Sequence, residues 1–228
     1  MPIRSRLLFV LAAALLAPFA LAGCGSDKPT RLYVLSATTD QSATMSPQGI
    51  AIGVGPITLP KYLDRPQIVM GVSANQLSQA NFDQWGGDLN DNMTRVLATN
   101  LSNLLGTERV SLYPWKDRAP TDFQVTVDVS KFETEADGST VLSVFWSLVN
   151  PNNGTVLEMR RSTYRDAGKG TVAGTSGTSG TSGLTGTSGT SGPTGSDRPY
   201  DAAVAAMSRN LGLLSKDIAT AIKAREVS

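Results

Sequence analysis

Histidine is absent from this 228-residue chain, and cysteine occurs once, at Cys24. Without histidine there are no Ser–His or Cys–His nucleophile pairs, no imidazole metal sites and no use of the commonest general base. A lone cysteine cannot form an internal disulfide, so an oxidising compartment is tolerated but not exploited. Spaced acidic pairs are missing too: Asp88 and Asp91 flank a helix start, Glu133 and Glu135 lie near a turn, and Asp64 sits beside Arg65. None of these forms the oxygen cage of a calcium loop. Gly53-Val54-Gly55 runs into Pro56 with no helix opening behind it, so it is not a phosphate loop. No Gly-x-Ser-x-Gly elbow is present either. The expectation is therefore a non-enzymatic protein with no catalytic residues, no metal and no cofactor.

What is present begins with an export signal. Arg4 and Arg6 precede an apolar run over residues 7–21, broken by Pro18. A run of this length is short for a membrane span and suits a secretory signal core. Leu21-Ala22-Gly23-Cys24 then places small residues directly before the only thiol. This is the arrangement of a lipoprotein cleavage site, at which Cys24 becomes the acylated first residue. Residues 1–23 read as signal peptide and 24–30 as a lipidated tether. Removing the signal lowers Lys+Arg from 20 to 18 against 19 Asp+Glu. So balanced a charge gives no reason to expect nucleic acid or a polybasic grip on lipid. Attachment falls to the acyl chains, palmitate among them, at about 0.8 kcal/mol per buried methylene. Gly25 follows the cysteine where an inner-membrane retention signal would have Asp, which points to the outer membrane, facing the periplasm.

The remainder reads as one domain over residues 31–223, with a tail at 224–228. Residues 174–196 repeat Thr-Ser-Gly with almost no apolar side chains, too few to offset the entropy of ordering, so this insertion is expected to be disordered. Between residues 88 and 105, Leu89, Met93, Val96, Leu97, Leu101, Leu104 and Leu105 form a helical stripe. Asn90, Thr94, Asn100 and Asn103 lie off that stripe, with Asp88 as N-cap and Gly106 as stop. A second helix over residues 199–223 carries Val204, Met207, Leu211, Leu214, Ile218 and Ile222. Strands are expected at 32–36, 50–54, 68–72 and 109–113, and at 123–129, where apolar and polar residues alternate. Asp137-Gly138 and Asn152-Asn153-Gly154 turn that last strand into 140–149 and then 155–164. The fold class expected is α+β, a largely antiparallel sheet with two amphipathic helices packed on one face. About 160 ordered residues can bury one good core.

The most specific stretch is Val54-Gly-Pro-Ile-Thr-Leu-Pro-Lys-Tyr-Leu-Asp-Arg-Pro-Gln-Ile-Val69. In it, and in Arg31-Leu-Tyr-Val-Leu, Phe82-Asp-Gln-Trp85, Asn100-Leu-Ser-Asn-Leu-Leu-Gly106, Tyr113-Pro-Trp115, the strand at 125–132, Trp146 and the final Ala-rich helix, the chain resembles the PqiC/YmbA family of ABC-type transport auxiliary lipoproteins. It departs from the relatives' Trp-Ala-Glu-Pro-Leu in having Trp85-Gly-Gly-Asp-Leu89, and in the Thr-Ser-Gly insertion. The resemblance implies an α+β fold without catalytic residues. It also implies a role in a lipid-transport system whose partners are an MCE-domain protein and ABC transporter components, the lipoprotein completing a bridge between the membranes in support of membrane integrity. A homo-oligomer is compatible with it.

Pro60 and Pro66 preset the backbone between them, so Tyr62, Leu63, Asp64 and Arg65 are presented at low entropy cost. With Gln67 and Trp85 they form the expected partner-binding set, Tyr62 and Arg65 serving as anchors. In the competing structural reading, Tyr62 and Leu63 close the sheet edge while Asp64 and Arg65 pair locally. Trp85, Trp115 and Trp146 are expected in the core or at its rim. The rival functional readings are a structural lipoprotein that scaffolds the envelope or binds the cell wall, and a partner lodged in an outer-membrane barrel. The barrel reading asks for a more apolar exterior than 40% hydrophobic residues suggest.

Overall fold

The alternating strand foreseen at 123–129 is longer than its apolar pattern and holds the sheet together. In the computed structural model, which describes residues 29–40, 44–115, 120–167 and 200–226, the elements run β1 (Arg31–Tyr33), β2 (Ile52–Thr58), β3 (Gln67–Ser73), β4 (Gln76–Trp85), α1 (Leu89–Leu105), β5 (Val110–Leu112), β6 (Phe123–Thr134), β7 (Thr140–Val149), β8 (Val156–Asp166) and α2 (Asp201–Glu226). On one side β6 pairs antiparallel with β7, and β7 with β8, so the two turn signals did join three consecutive strands. On its other side β6 pairs parallel with β2 over its first half and meets β3 at Thr134. Beyond these, β2 pairs parallel with β5, β3 antiparallel with β4, and β4 parallel with β1.

The sheet is therefore a curled, mixed one of eight strands and not a largely antiparallel one. Parallel partners are joined by long crossovers, which leave no local turn to read, whereas Gly-containing hairpins announce themselves. β4 was also not expected. Only Ala80, Asp83 and Trp85 of its ten residues are buried, so it carries no apolar alternation. The signal peptide with Cys24, the insertion at 174–196 and the end of the tail lie outside the described residues.

Val125, Val127 and Val129 face Leu148, Trp146 and Val144 across the β6–β7 ladder, making one apolar face. The two helices pack against each other, α1 on β2 and β5 and α2 on β6, β7 and β8. Asp88 caps α1 as expected, accepting from the N–H groups of Asn90 at 2.7 Å and Asp91 at 3.3 Å. Gly106 ends it in the left-handed conformation that glycine adopts without steric penalty. Trp85 and Trp146 are core residues, and Trp115 packs over the bare Cα of Gly53 at the rim.

The polar side of α1 is not a solvent face. Residues 35–39 run as an extended strap without a strand partner, and α1 satisfies their backbone. Asn92 Oδ1 accepts from Leu35 N–H at 3.2 Å, and Asn100 Oδ1 from Thr38 N–H at 3.1 Å and Thr39 Oγ1 at 2.9 Å. Asn100 Nδ2 donates to Ser215 Oγ of α2 at 3.1 Å, and Asn103 Nδ2 to Thr39 O at 2.9 Å. From α2, Ser208 Oγ accepts from Ser36 N–H at 3.1 Å. A side chain at Gly212 would collide with Thr38 Oγ1, so the glycine allows the strap to lie against the helix.

Asn100 is fully buried, and removing its amide takes a partner from the strap and from α2 at once. Asn100→Ala is expected to lower stability by about 2–3 kcal/mol, read as a drop in urea midpoint, whereas exposed Thr99→Ala should stay within about 0.5 kcal/mol.

Candidate functional site

Two of the stretches that set this chain apart in sequence meet in space. Within the turn at residues 60–66, Leu63 N–H donates to Pro60 O and Arg65 N–H to Leu63 O, each at 2.9 Å. Those bonds close the turn while the two prolines fix φ at its ends. Pro66 O then accepts from Trp85 N–H at 2.7 Å, and Gln67 sits opposite Gln84 in the β3–β4 ladder. Gly86 N–H donates to Tyr33 O at 2.7 Å, which brings the end of β4 against β1. The turn is thus bolted to the Trp85-Gly-Gly-Asp-Leu89 segment, and through Asp88 to the start of α1. Asn90 Nδ2 adds a bond from α1 to Ile57 O.

Between the turn and the helix start lies an open cleft of about 280 Å³, lined by Leu59, Asp64, Arg65, Pro66, Gly87, Asp88 and Leu89. Gly87 has φ +143, and a Cβ placed on it would meet nothing within 4 Å, so the cleft wall is bare backbone there. Arg65 Nη1 donates to Gln79 Oε1 at 2.9 Å and does not pair with Asp64. The cleft presents one cation and two carboxylates, and the Asp88 carboxylate already accepts from two helix N–H groups.

The six residues expected to bind a partner divide by position. Asp64 and Arg65 are exposed at the cleft. Leu63 is buried in the core, and Tyr62 is half-buried against it. Burial, with the neighbouring Glu133 carboxylate, pushes the Tyr62 phenol well above its ordinary value. Gln67 is half-buried in β3, and Trp85 is buried, offering its backbone and not its ring. Leu59, Gly87 and Asp88 complete the cleft and were not foreseen as its lining, although the Gly-Gly-Asp run in place of Ala-Glu-Pro was a visible sign.

A second bonded cluster fixes the start of the domain. Asp83 is buried, receives Arg31 through Nε at 2.6 Å and Nη2 at 2.8 Å, and accepts from the Tyr33 hydroxyl at 2.9 Å. Burial first, and then that hydrogen bond, raise the Tyr33 phenol to about 12. The first residue of β1 is thereby held on the same β4 strand that carries the cleft.

Among the described residues no three acidic, histidine or cysteine side chains converge to hold a metal ion, and no helix is long and apolar enough to cross a membrane. The cleft is an open surface of mixed charge.

Comparison with known proteins agrees with this fold. A crystal structure of an uncharacterised protein superposes with a TM-score of 0.58 at 20% identity, covering 88% of this chain and 100% of its own. Protein XCC0632 from Xanthomonas campestris also gives 0.58, at 13% identity, covering 82% of this chain and 92% of that one. At such identities these likenesses speak to the fold alone. Among curated proteins none matches this chain in sequence. The family model described as the ABC-type transport auxiliary lipoprotein component matches residues 33–219, from β1 through most of α2, and the chain belongs to that family.

Proposed function

We propose that this chain is a lipid-anchored, periplasm-facing auxiliary subunit of an MCE/ABC-type lipid-transport system. It is held at the outer membrane through Cys24 and docks a protein partner on the side of the inner membrane. Its role is to position and not to catalyse. The observation that carries this reading is the convergence of the Pro60–Pro66 turn and the Trp85–Leu89 segment on one exposed cleft. Family membership supports the transport role, and the Leu21-Ala-Gly-Cys24 sequence supports the anchor.

The contact surface under this proposal is narrower than the full motif. Leu63 and Trp85 hold the turn in place from below, and Tyr62 is wedged between turn and sheet. Asp64 and Arg65 are left to meet the partner, as an exposed pair of opposite charge on a preset backbone. Such a pair contributes chiefly to orientation and association rate, with the neighbouring cleft receiving the partner's apolar or backbone groups.

Reversing both charges, Asp64→Arg with Arg65→Glu, should reduce co-purification with an MCE-domain partner by at least about tenfold. The thermal midpoint should move by no more than about 2 °C, since both side chains are exposed. Undiminished capture by a folded variant rules this turn out as the docking site. For the anchor, Cys24→Ser should move the protein from the membrane to the soluble fraction, with an intact mass that lacks acyl chains. Retention at the membrane in the same amount would show that the lipid is not what holds it there.

A further inference from the structure

The chain at β1, the edge strand of the sheet, is apolar on both faces. Tyr33 and Leu35 are buried, at 6% and 5% exposed, whereas Leu32 and Val34 are 67% and 56% exposed. Alternation along an extended chain puts Leu32 and Val34 together on the outer face. On β4, Gln84 faces Leu32 across the ladder, and Phe82, two residues before it, is exposed as well. A strand that is apolar on both faces belongs between two covers, and the domain supplies only the inner one. A single exposed leucine needs no explanation, but three large apolar side chains at one sheet edge mark a contact surface.

This exposure is not fraying. Arg31 is held on buried Asp83 by bonds of 2.6 and 2.8 Å, and Tyr33 O accepts from Gly86 N–H at 2.7 Å. Leu35 N–H donates to Asn92 Oδ1 at 3.2 Å, so the backbone on either side of Val34 is fixed. A Cβ on Gly86 would lie 3.0 Å from Val34 Cγ1, and the glycine thereby lets Val34 sit over the end of β4. Beside Leu32 and Val34 an open groove of about 380 Å³ reaches the start of α2, with Val204 and Ala205 on its other wall. Arg31 and Arg209, the cations beside this ridge, are engaged with Asp83 and Asp166. The surface therefore offers apolar contact and not a cationic grip.

The tether identifies the cover. Only seven residues of chain separate Arg31 from Cys24, a contour of at most about 25 Å. Acyl chains on Cys24 therefore keep the ridge close to the leaflet they enter. Held there, the ridge meets lipid at high effective concentration, and a few side chains suffice for a second point of contact. A free-standing protein interface asks for about 800 Å² per partner, more than three partly exposed side chains provide. We infer that Leu32, Val34 and Phe82 rest in the interfacial layer of the membrane that holds the acyl chains and fix the orientation of the domain on it. The contact depends on the acylated Cys24 of the proposed function. None of the three side chains lines the cleft beside Asp64 and Arg65, so lipid contact and partner docking do not compete for residues.

The test reconstitutes the mature acylated protein in vesicles of phosphatidylethanolamine and phosphatidylcholine. With the Cys24 thiol taken up by its lipid, an introduced cysteine is the only reactive one. Val34→Cys and, at an exposed turn outside the patch, Asn153→Cys each carry an environment-sensitive NBD label. The label at position 34 should be blue-shifted, and quenched by nitroxide lipid at least about twofold more than the label at position 153. Adding Leu32→Ser and Phe82→Ser, both at exposed positions, should return position 34 to a water-like signal while the protein still floats with the vesicles. Flotation with a water-like signal at position 34 before those changes, equal quenching at both positions, or a signal that the two serines leave unchanged overturns the ridge contact and leaves the anchor standing. Loss of flotation, with an intact mass lacking acyl chains, overturns the anchor and the ridge contact with it. A blue shift without nitroxide quenching, fading as the protein is diluted in lipid, assigns the face to a second copy of the chain and likewise overturns the inference.

Discussion

The strap at residues 35–39 has no strand to pair with, and its backbone must be satisfied where it lies. Asn100 meets that requirement, with its carbonyl taking up the strap and its amide nitrogen held by Ser215 of α2. One buried amide therefore ties together the incoming chain, α1 and α2. An unsatisfied backbone group in that position would cost more than the amide itself contributes, so the helices and the strap are positioned as a unit. Because the strap follows directly from β1, a pull on the chain at Arg31 reaches the core through hydrogen bonds to both helices.

The same logic of backbone satisfaction builds the cleft. Pro66 O and Trp85 N–H lie far apart in sequence and complete one another at 2.7 Å, so the Pro-bounded turn cannot be displaced without disturbing the end of β4 and the cap of α1. This explains how a small surface feature can be rigid. Two prolines restrict the turn from within, and a buried leucine and a buried tryptophan restrict it from below. Of the six residues proposed to meet a partner, Asp64 and Arg65 are the two left exposed.

Several elements were legible without the structure because their causes are local. The Asp88 cap, the stripe from Leu89 to Leu105 and the Gly106 stop lie within one helix, and the Asp137-Gly138 turn lies within one hairpin. β4 was invisible because its side chains are mostly exposed and polar, and it is held by ladders on both sides and not by a buried stripe. The asparagines of α1 could be placed only as lying off the apolar stripe, since an amide's partner can be a distant strap that no spacing reveals. Tyr62 was expected as an anchor because an aromatic between prolines suits recognition. Its ring instead packs at the rim of the core beside Glu133.

From the residues alone came the expectation of an export signal with an acylation site at Cys24, the lack of histidine chemistry, the α+β class and the family resemblance. Each depends on short segments or on composition, which need no knowledge of distant neighbours. Tertiary structure decided the parallel pairings of β2 and β6, the gathering of the turn with the Gly-Gly-Asp segment, and the division of the motif into buried supports and an exposed pair. It alone could also show that Glu133, one acidic residue among many, is buried beside Tyr62. These are consequences of which surfaces meet, and chain order does not encode them locally.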